Sequence, residues 1–328
     1  MAEHEDPYNP VRIKERDVAP PSTISAAARR ILSNMAVAPP MTWPPAGDKD
    51  AWRARLSADD PARQKLVETM LSGCTAVTET VEIGGVPCYD CRPEGTHAGE
   101  LPVYLFAHGG AFVSGGGDFA MAQGARAAEG LGMRAIAVDY RMPPDHPFPA
   151  APEDCLAVYR SLLQTMAPGR IVIGGSSAGG NVAASTILMA RDQGLPLPAG
   201  AVLLTPEVDL TESGDTFVTN EQLDVVLKGG LPECNALYAD GTDLRDPYLS
   251  PLFADFTRGF PPTLVQSGTR DLFLSNSVLI HRKLRDAGID AELHVWEAMP
   301  HGGFLIGQAP ENDEIRAETG RFMSRVLD

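Results

Sequence analysis

Short apolar runs, separated by longer amphipathic stretches, organise the chain from about residue 77 onward. Two runs of alternating polar and apolar residues, Val77–Ile83 and Val86–Arg92, flank Gly84-Gly85, a pair typical of a tight β-hairpin turn. Six further runs are short and mostly apolar, as buried strands are: Leu101–Ala107, Met133–Val138, Arg170–Gly174, Gly200–Leu204, Thr263–Ser267 and Ala291–Trp296. The pattern predicts eight strands, of which the first two form a hairpin.

Stretches with helical periodicity separate the mostly apolar runs. The predicted helices lie near residues 119–130, 150–165, 178–193, 275–287 and 312–327. Strands that alternate with helices predict an α/β fold with an eight-stranded, mostly parallel sheet and flanking helices. Two earlier helices are expected over Ser25–Ala36 and Asp50–Ser72. The second should be interrupted at Pro61, because proline lacks the N–H that a helix interior requires.

Two parts of the chain lack this alternation. Residues 1–72 precede the first strand, and no strand pattern is present between Thr205 and Pro262. A connection of that length inside a compact domain is usually a lid or an inserted element. We therefore expect residues 1–72 to form the N-terminal part of a helical cap and residues at about 205–245 to form a cap insertion. Residues 73–328 would be the catalytic domain that carries this insertion.

The formal net charge of −16 narrows the classes of partner. An acidic surface repels phosphate backbones and anionic membrane faces, so we expect no nucleic-acid partner. Met1–Pro20 is charged and lacks the apolar core of a secretory signal, and no apolar run has transmembrane length. We therefore expect a cytoplasmic protein without membrane insertion, whose partner is a small-molecule substrate. A homodimer stays open.

The cysteines form neither the pattern of a disulfide framework nor that of a metal site. They number five, which is odd. Cys88 and Cys91 have C-x-x-C spacing, but no second pair or nearby histidine completes a ligand set. On a strand, positions three apart also face opposite sides of the sheet. We expect ordinary reduced thiols, and we expect the protein to use no metal or organic cofactor.

The strongest chemical motif is the pentapeptide Gly175-Ser-Ser-Ala-Gly179. It follows an apolar strand and begins a helix, which is the context of the G-x-S-x-G nucleophile elbow. Such a turn is so tight that the residues flanking the central serine must be small. We therefore predict Ser177 as the nucleophile and the Ala178 N–H as an oxyanion donor at the helix N-terminus. Glycine and serine also make ordinary loops, so the prediction depends on the strand before the motif and the helix after it.

A second glycine-rich loop, His108-Gly-Gly-Ala-Phe112, follows the predicted third strand. In proteins with a nucleophile elbow, the loop after the third strand supplies the other oxyanion donors. Glycine in that loop lets the backbone approach a substrate closely. We assign the N–H groups of Gly109 and Gly110 to the oxyanion hole. His108 precedes the nucleophile, whereas the base follows it in this fold. We therefore expect His108 to anchor the loop through a hydrogen bond.

The predicted base and acid follow the last two strands. His301 lies in a Pro- and Gly-rich loop beyond one strand end, and Asp271 lies just beyond the other. There the carboxylate would hold the imidazole in the tautomer that catalysis requires. Structural roles stay open for both residues: a loop hydrogen bond for His301 and the N-cap of the next helix for Asp271. His281 and His294 are weaker candidates for the base, and Asp246 is the runner-up acid.

Together these motifs resemble the hormone-sensitive-lipase family of α/β hydrolases, also called bacterial family IV esterases, from about residue 77 to the C-terminus. The segments that carry the resemblance are His108–Phe112, Asp139–Pro144, Pro147–Pro149 with Glu153-Asp154, Gly175–Asn181, Asp246–Pro251, Asp271 and His301. The resemblance implies a Ser-His-Asp triad and a structural role for Asp139-Tyr-Arg141. It also implies a helical cap made of the N-terminal segment and an insertion after the sixth strand. Residues Thr205–Asn220 resemble the ε-lactone hydrolase and aryl-ester branch.

Two positions depart from the family's pattern. Ala111 replaces the third glycine of the oxyanion loop, which puts activity on bulky tertiary-alcohol esters in doubt. Ser176 replaces the usual acidic residue before the nucleophile. We expect this change to affect catalysis little if the Ser176 side chain points away from the scissile bond.

The predicted function is that of a serine carboxylesterase for short- to medium-chain esters or lactones. The same triad could cleave amides or peptides, and a non-catalytic ligand receptor on this fold is a third alternative. Five apolar cap residues could line the substrate pocket or simply pack in the core: Met35, Met41, Trp43, Leu223 and Val226.

Overall fold

Eight strands form one sheet in the computed structural model, which describes residues 11, 15–99, 101–304 and 309–327. The strands are β1 (Val77–Ile83), β2 (Val86–Arg92), β3 (Val103–Ala107), β4 (Arg134–Val138), β5 (Ile171–Ser176), β6 (Gly200–Leu204), β7 (Thr263–Gly268) and β8 (Ala291–Trp296). Their order across the sheet is β1-β2-β4-β3-β5-β6-β7-β8. The β1–β2 hairpin and the β2–β4 pair are antiparallel, and all other neighbours are parallel. The predicted eight-stranded, mostly parallel sheet is confirmed.

Helices cover both faces of this sheet. They are α1 (Ala26–Ala36), α2 (Lys49–Leu71), α3 (Asp118–Leu131), α4 (Ala150–Leu162), α5 (Ala178–Asp192), α6 (Thr216–Thr219), α7 (Pro232–Ala239), α8 (Leu274–Asp286) and α9 (Pro310–Leu327). Residues of α3 and α9 share one buried cluster with the sheet, and residues of α4, α5 and α8 share another. Within the described part of the chain, no helix has both the length and the apolar content that crossing a membrane requires.

Alternation along β2 separates the two cysteines of the C-x-x-C pair. Cys88 lies in the cluster with α4 and α5, and Cys91 lies in the cluster with α3 and α9. Burial raises the pKa of the Cys88 thiol to about 12 and that of the Cys91 thiol to about 11. Both side chains are therefore protonated core residues near neutral pH.

The predicted interruption of the second helix at Pro61 is wrong, because α2 is continuous from Lys49 to Leu71. The fixed φ of proline fits a helix, and its missing N–H deprives only the carbonyl of Ser57 of a donor. Ser57 is exposed, so this carbonyl is not buried without a partner. The helix therefore continues through Pro61, at the cost of about 3 kcal/mol that a proline in a helix interior carries.

Two other boundaries differ from the prediction. β3 begins at Val103 rather than Leu101, directly after Pro102, which has no N–H to donate to a strand ladder. α4 ends at Leu162 rather than near residue 165, because the amides of Gln164 and Thr165 donate to carbonyls three residues back, as in a turn.

The connection between β6 and β7, described over its whole length, contains helices but no strand, as predicted. It forms α6, α7 and two short 3₁₀ turns, Pro251–Phe253 and Phe256–Arg258. The N-terminal helices pack against this connection: Trp52 of α2 shares a buried cluster with Leu227 and Leu231, and Leu32 of α1 shares one with Val225. The earliest part of the expected cap, residues 1–10 and 12–14, lies outside the described residues.

The hairpin glycines provide a test of this packing. A Cβ at Gly84 would lie 2.6 Å from the Ala157 carbonyl oxygen of α4, whereas a Cβ at Gly85 meets nothing within 4 Å. Both residues have positive φ, +62° and +80°, so alanine at either position costs about 1 kcal/mol in backbone strain. We expect Gly84→Ala to cost a further 1–3 kcal/mol or so, because α4 must also move.

The measurement is the free energy of unfolding in urea, with Gly85→Ala as the matched control. Equal losses in the two variants would contradict the close contact between the hairpin turn and α4.

Candidate active site

Ser177 occupies the turn between β5 and α5 in a left-handed conformation, with φ +59° and ψ −125°. Its N–H donates to the Leu204 carbonyl at 2.8 Å, which fixes the turn to the end of β6. A Cβ at Gly179 would lie 2.1 Å from the Ala107 carbonyl oxygen, and one at Gly175 would lie 2.4 Å from the same atom. Positive φ at a non-glycine residue is rare and strained, and here it lifts the serine hydroxyl away from the sheet.

The three residues predicted as a triad meet in one line of hydrogen bonds. Ser177 Oγ lies 2.8 Å from His301 Nε2, and His301 Nδ1 lies 3.0 Å from Asp271 Oδ1. The side chains come from loops after β5, β8 and β7, whose carboxyl ends meet at one edge of the sheet. This geometry requires the proton of His301 to lie on Nδ1, so that Nε2 can accept from the serine hydroxyl.

Asp271 is completely buried and accepts hydrogen bonds beyond the one from His301. The Ser267 hydroxyl donates to Oδ2 at 2.6 Å, and the Phe273 N–H donates to Oδ1 at 3.0 Å. Helix α8 begins at Leu274 with Phe273 as its flanking residue, so Asp271 is not its N-cap. The bonds fix the carboxylate, and the Phe273 ring packs edge-on against His301 with centroids 4.7 Å apart.

The loop after β3 lies against the nucleophile turn. A Cβ at Gly109 would lie 2.9 Å from the Ser176 carbonyl oxygen and 3.4 Å from Ser177 Cβ. Gly110 has φ +139°, and a Cβ there would lie 1.9 Å from the Ser114 carbonyl oxygen. Among the residues that the structure describes, the N–H of Gly109 has a single long contact, 3.5 Å to Gln123 Oε1. The N–H of Ala178 belongs to the first residue of α5, where no earlier carbonyl of the helix can accept it.

His108 anchors this loop, as expected. Its buried ring stacks on Tyr140 with centroids 4.0 Å apart, and Nδ1 lies 2.9 Å from the Gly109 carbonyl oxygen. The Tyr140 hydroxyl in turn donates to the His108 carbonyl at 2.7 Å. Burial lowers the pKa of His108 to about 4, so the ring is neutral near neutral pH.

The weaker candidates have other contacts. Asp246 accepts the Tyr248 N–H at 2.8 Å inside its own turn. His281 lies on α8, and His294 lies within β8 with Nε2 3.4 Å from Glu292.

Of the five residues that could line the substrate pocket, some lie in buried apolar clusters and others lie at the surface. Trp43 stacks on Trp52 with centroids 5.5 Å apart, and Met35 and Val226 pack partly buried at the cluster around α1. Met41 is half-exposed and Leu223 is partly buried.

One buried carboxylate beside the triad was missed by the sequence analysis. Asp224, in the β6–β7 connection, lies with Asp271 and His301 so that one ligating atom of each is within 4.8 Å of the others. Two carboxylates and an imidazole are a set that metals can use, but backbone N–H groups already donate to both Asp224 oxygens. The available sequence signal was a lone acid inside the apolar run Leu223–Leu227.

Comparison with known proteins places this geometry in a family. A family model described as "alpha/beta hydrolase fold" matches residues 104–305. The chain belongs to the α/β-hydrolase family. The structural resemblance extends to hormone-sensitive-lipase-type members, which confirms the family assignment made from the motifs. The crystal structure of an esterase from the bacterial hormone-sensitive lipase family matches this structure with a TM-score of 0.75. The two chains are 31% identical, and the match covers 93% of this chain and 99% of that one.

Two further α/β-hydrolase relatives have names that state an activity. An esterase of Acinetobacter venetianus is 33% identical over 81% of this chain and 88% of its own length. The crystal structure of an esterase called E25 has a TM-score of 0.86 and 33% identity, covering 96% of this chain and 98% of that one.

The buried imidazole of His108 predicts a pH effect on stability. Its pKa is about 4 in the folded α/β-hydrolase and 6.5 as the ordinary value, so between these pH values only the unfolded chain gains the proton. The stability contributed by neutral His108 is complete above pH 6.5 and is lost as pH falls toward 4. We expect the loss to reach about 3 kcal/mol.

The measurement is the free energy of unfolding between pH 7 and 4 for the native chain and for His108→Gln, which cannot titrate. The exposed His146→Gln is the control and should retain the native pH dependence. The idea fails if His108→Gln loses stability as steeply as the native chain does.

Proposed function

We propose that this protein is a serine hydrolase that cleaves short- to medium-chain carboxylic esters or lactones through an acyl-enzyme. The observation that carries the proposal is the continuous line from Ser177 through His301 to Asp271, with separations of 2.8 and 3.0 Å. A hydroxyl, an imidazole and a buried carboxylate in this order make a serine nucleophilic near neutral pH. The relatives named as esterases support an ester as the bond that is cleaved.

Acylation begins when Ser177 Oγ attacks the carbonyl carbon and its proton passes to His301 Nε2. The carbonyl oxygen becomes an oxyanion, for which the N–H groups of Gly109, Gly110 and Ala178 are the proposed donors. An oxyanion would replace the long contact of the Gly109 N–H with Gln123. Each donor contributes about 3–4 kcal/mol to transition-state stabilisation. The intermediate then releases the alcohol, which takes the proton from His301.

Deacylation repeats these steps with water as the nucleophile. His301 accepts a proton from the water as its oxygen attacks the acyl carbon, and Ser177 leaves with that proton as the acid forms. Asp271 holds the imidazole orientation and stabilises the imidazolium in both halves. Every proton moves among substrate, water, serine and histidine, so the scheme requires no cofactor.

Substrate size is proposed to depend on a cap made of α1, α2 and the β6–β7 connection. The support is the apolar packing of these elements around the triad loops. Trp52 and Leu227 share a buried cluster with Phe273, which contacts His301. This packing fixes the proposed cap against the loop that carries Asp271.

Replacement of the nucleophile tests the mechanism. We expect Ser177→Ala to lower kcat/KM for p-nitrophenyl butyrate by at least about 10⁴-fold, because no acyl-enzyme can form. Ser176→Ala is the matched control, since it removes one hydroxyl from the same turn, and it should retain most activity. A fluorophosphonate should label Ser177 in the native chain and in the control.

The outcomes separate the alternatives. Undiminished hydrolysis by Ser177→Ala would contradict the assignment, and an unlabelled, inactive native chain would favour a ligand receptor. A panel of matched ester, lactone and amide substrates identifies an amidase by preferential amide cleavage.

The alanine in the oxyanion loop predicts a limit on the alcohol group. Ala111 has φ +54°, and the family resemblance places its methyl group on the alcohol side of the site. We expect Ala111→Gly to raise the rate with tert-butyl acetate relative to ethyl acetate by about tenfold, as removal of a clash of about 1.4 kcal/mol does. An unchanged ratio of the two rates would show that this methyl group does not limit the alcohol.

A further inference from the structure

Asp224 is a buried carboxylate that the proposed mechanism does not use. It lies in the apolar run Leu223–Leu227 and is completely inaccessible to solvent. Burial of an ionisable side chain is costly unless its polar atoms find partners. Its position beside the triad therefore calls for a physical reason.

The partners of Asp224 are backbone N–H groups from three separate segments. Oδ2 accepts the Leu272 N–H at 2.8 Å, and Oδ1 accepts the Val226 N–H at 2.9 Å and the Leu227 N–H at 3.2 Å. The His301 N–H points between the two oxygens, at 3.3 and 3.2 Å. One side chain thus connects the loop after β7, the loop after β8 and the connection between β6 and β7.

The backbone atoms that Asp224 binds belong to the triad loops themselves. Leu272 directly follows Asp271, and the His301 N–H belongs to the base. A shift of either loop would change the distance between Asp271 and His301, whose side chains are 3.0 Å apart. Burial raises the pKa of Asp224, while both of its oxygens accept backbone N–H groups, so the geometry requires an acceptor on each side of the carboxyl group.

We propose that Asp224 is a positioning residue that fixes the two loops carrying Asp271 and His301 relative to each other and links them to the proposed cap. It would act through the backbone and not on the substrate. The proposal rests on the proposed function, because it assigns a role within the same triad. It predicts that loss of the Asp224 carboxylate lowers the rate of the chemical step and changes substrate binding little.

Two replacements at position 224 test the role. Asp224→Ala removes every acceptor, and a displacement of the triad loops of about 1 Å should lower kcat by about 10²-fold with little change in KM. Asp224→Asn keeps one carbonyl oxygen but turns an NH₂ group toward N–H donors, so we expect a smaller loss, of about tenfold. The rate of fluorophosphonate labelling of Ser177 should fall in parallel with kcat.

Asp209→Ala is the matched control. Asp209 is a buried carboxylate of the same connection, but its bonds are to Thr211 and Ser213 in its own turn. We expect it to lower the unfolding temperature while kcat stays within about twofold of the native value. All variants are assayed well below their unfolding temperatures.

Three results would overturn the proposal. The first is a native kcat in Asp224→Asn, and the second is a higher KM with unchanged kcat in either Asp224 variant. The third is a loss of kcat in Asp209→Ala equal to that in Asp224→Ala. The Asn variant, which preserves volume, keeps the test valid if the Ala variant does not fold. Ser177→Ala is measured alongside. If it is inactive while Asp224→Asn is fully active, only the positioning role fails; if it is active, the proposed triad itself fails.

Discussion

The end of β3 and the start of α5 approach so closely that no side chain fits between them. This contact determines where the groups of the candidate site lie. A Cβ at Gly179 would lie 2.1 Å from the Ala107 carbonyl oxygen and 2.5 Å from that of His108. The helix can therefore begin directly beneath the loop after β3. As a result Ser177, the Ala178 N–H and the glycine loop lie side by side.

Parallel strand order brings the remaining groups to the same place. β5, β6, β7 and β8 are consecutive neighbours, so the loops after them leave one edge of the sheet in sequence. Asp271 and His301 come from adjacent strands and meet directly, whereas Ser177 reaches His301 across the ends of β6 and β7. The Ser177 N–H bond to the Leu204 carbonyl fixes the nucleophile turn to β6, the first of these intervening strands. The site is thus a consequence of sheet topology.

The dependence of the site on sheet topology explains which features could be predicted from the sequence. The strands and the meeting of Ser177, His301 and Asp271 were predictable because each is encoded locally: a short apolar run, followed by a loop with a distinctive composition. The continuity of α2 through Pro61 was not, since it depends on the exposure of a single carbonyl. Asp224 was not either, because its partners are backbone N–H groups, which every non-proline residue has. No residue type marks such an acceptor site in advance.

If the β6–β7 connection is the cap that we propose, its packing couples substrate choice to the proposed chemistry. Leu227 belongs to the apolar cluster that includes Phe273, and Phe273 contacts the ring of His301. The same connection contributes Asp224, whose carboxylate binds the backbone of both triad loops. A substitution in this apolar cluster would therefore displace the groups that orient the imidazole. Divergence of specificity in this chain would then be constrained by the need to keep Asp271 and His301 in contact.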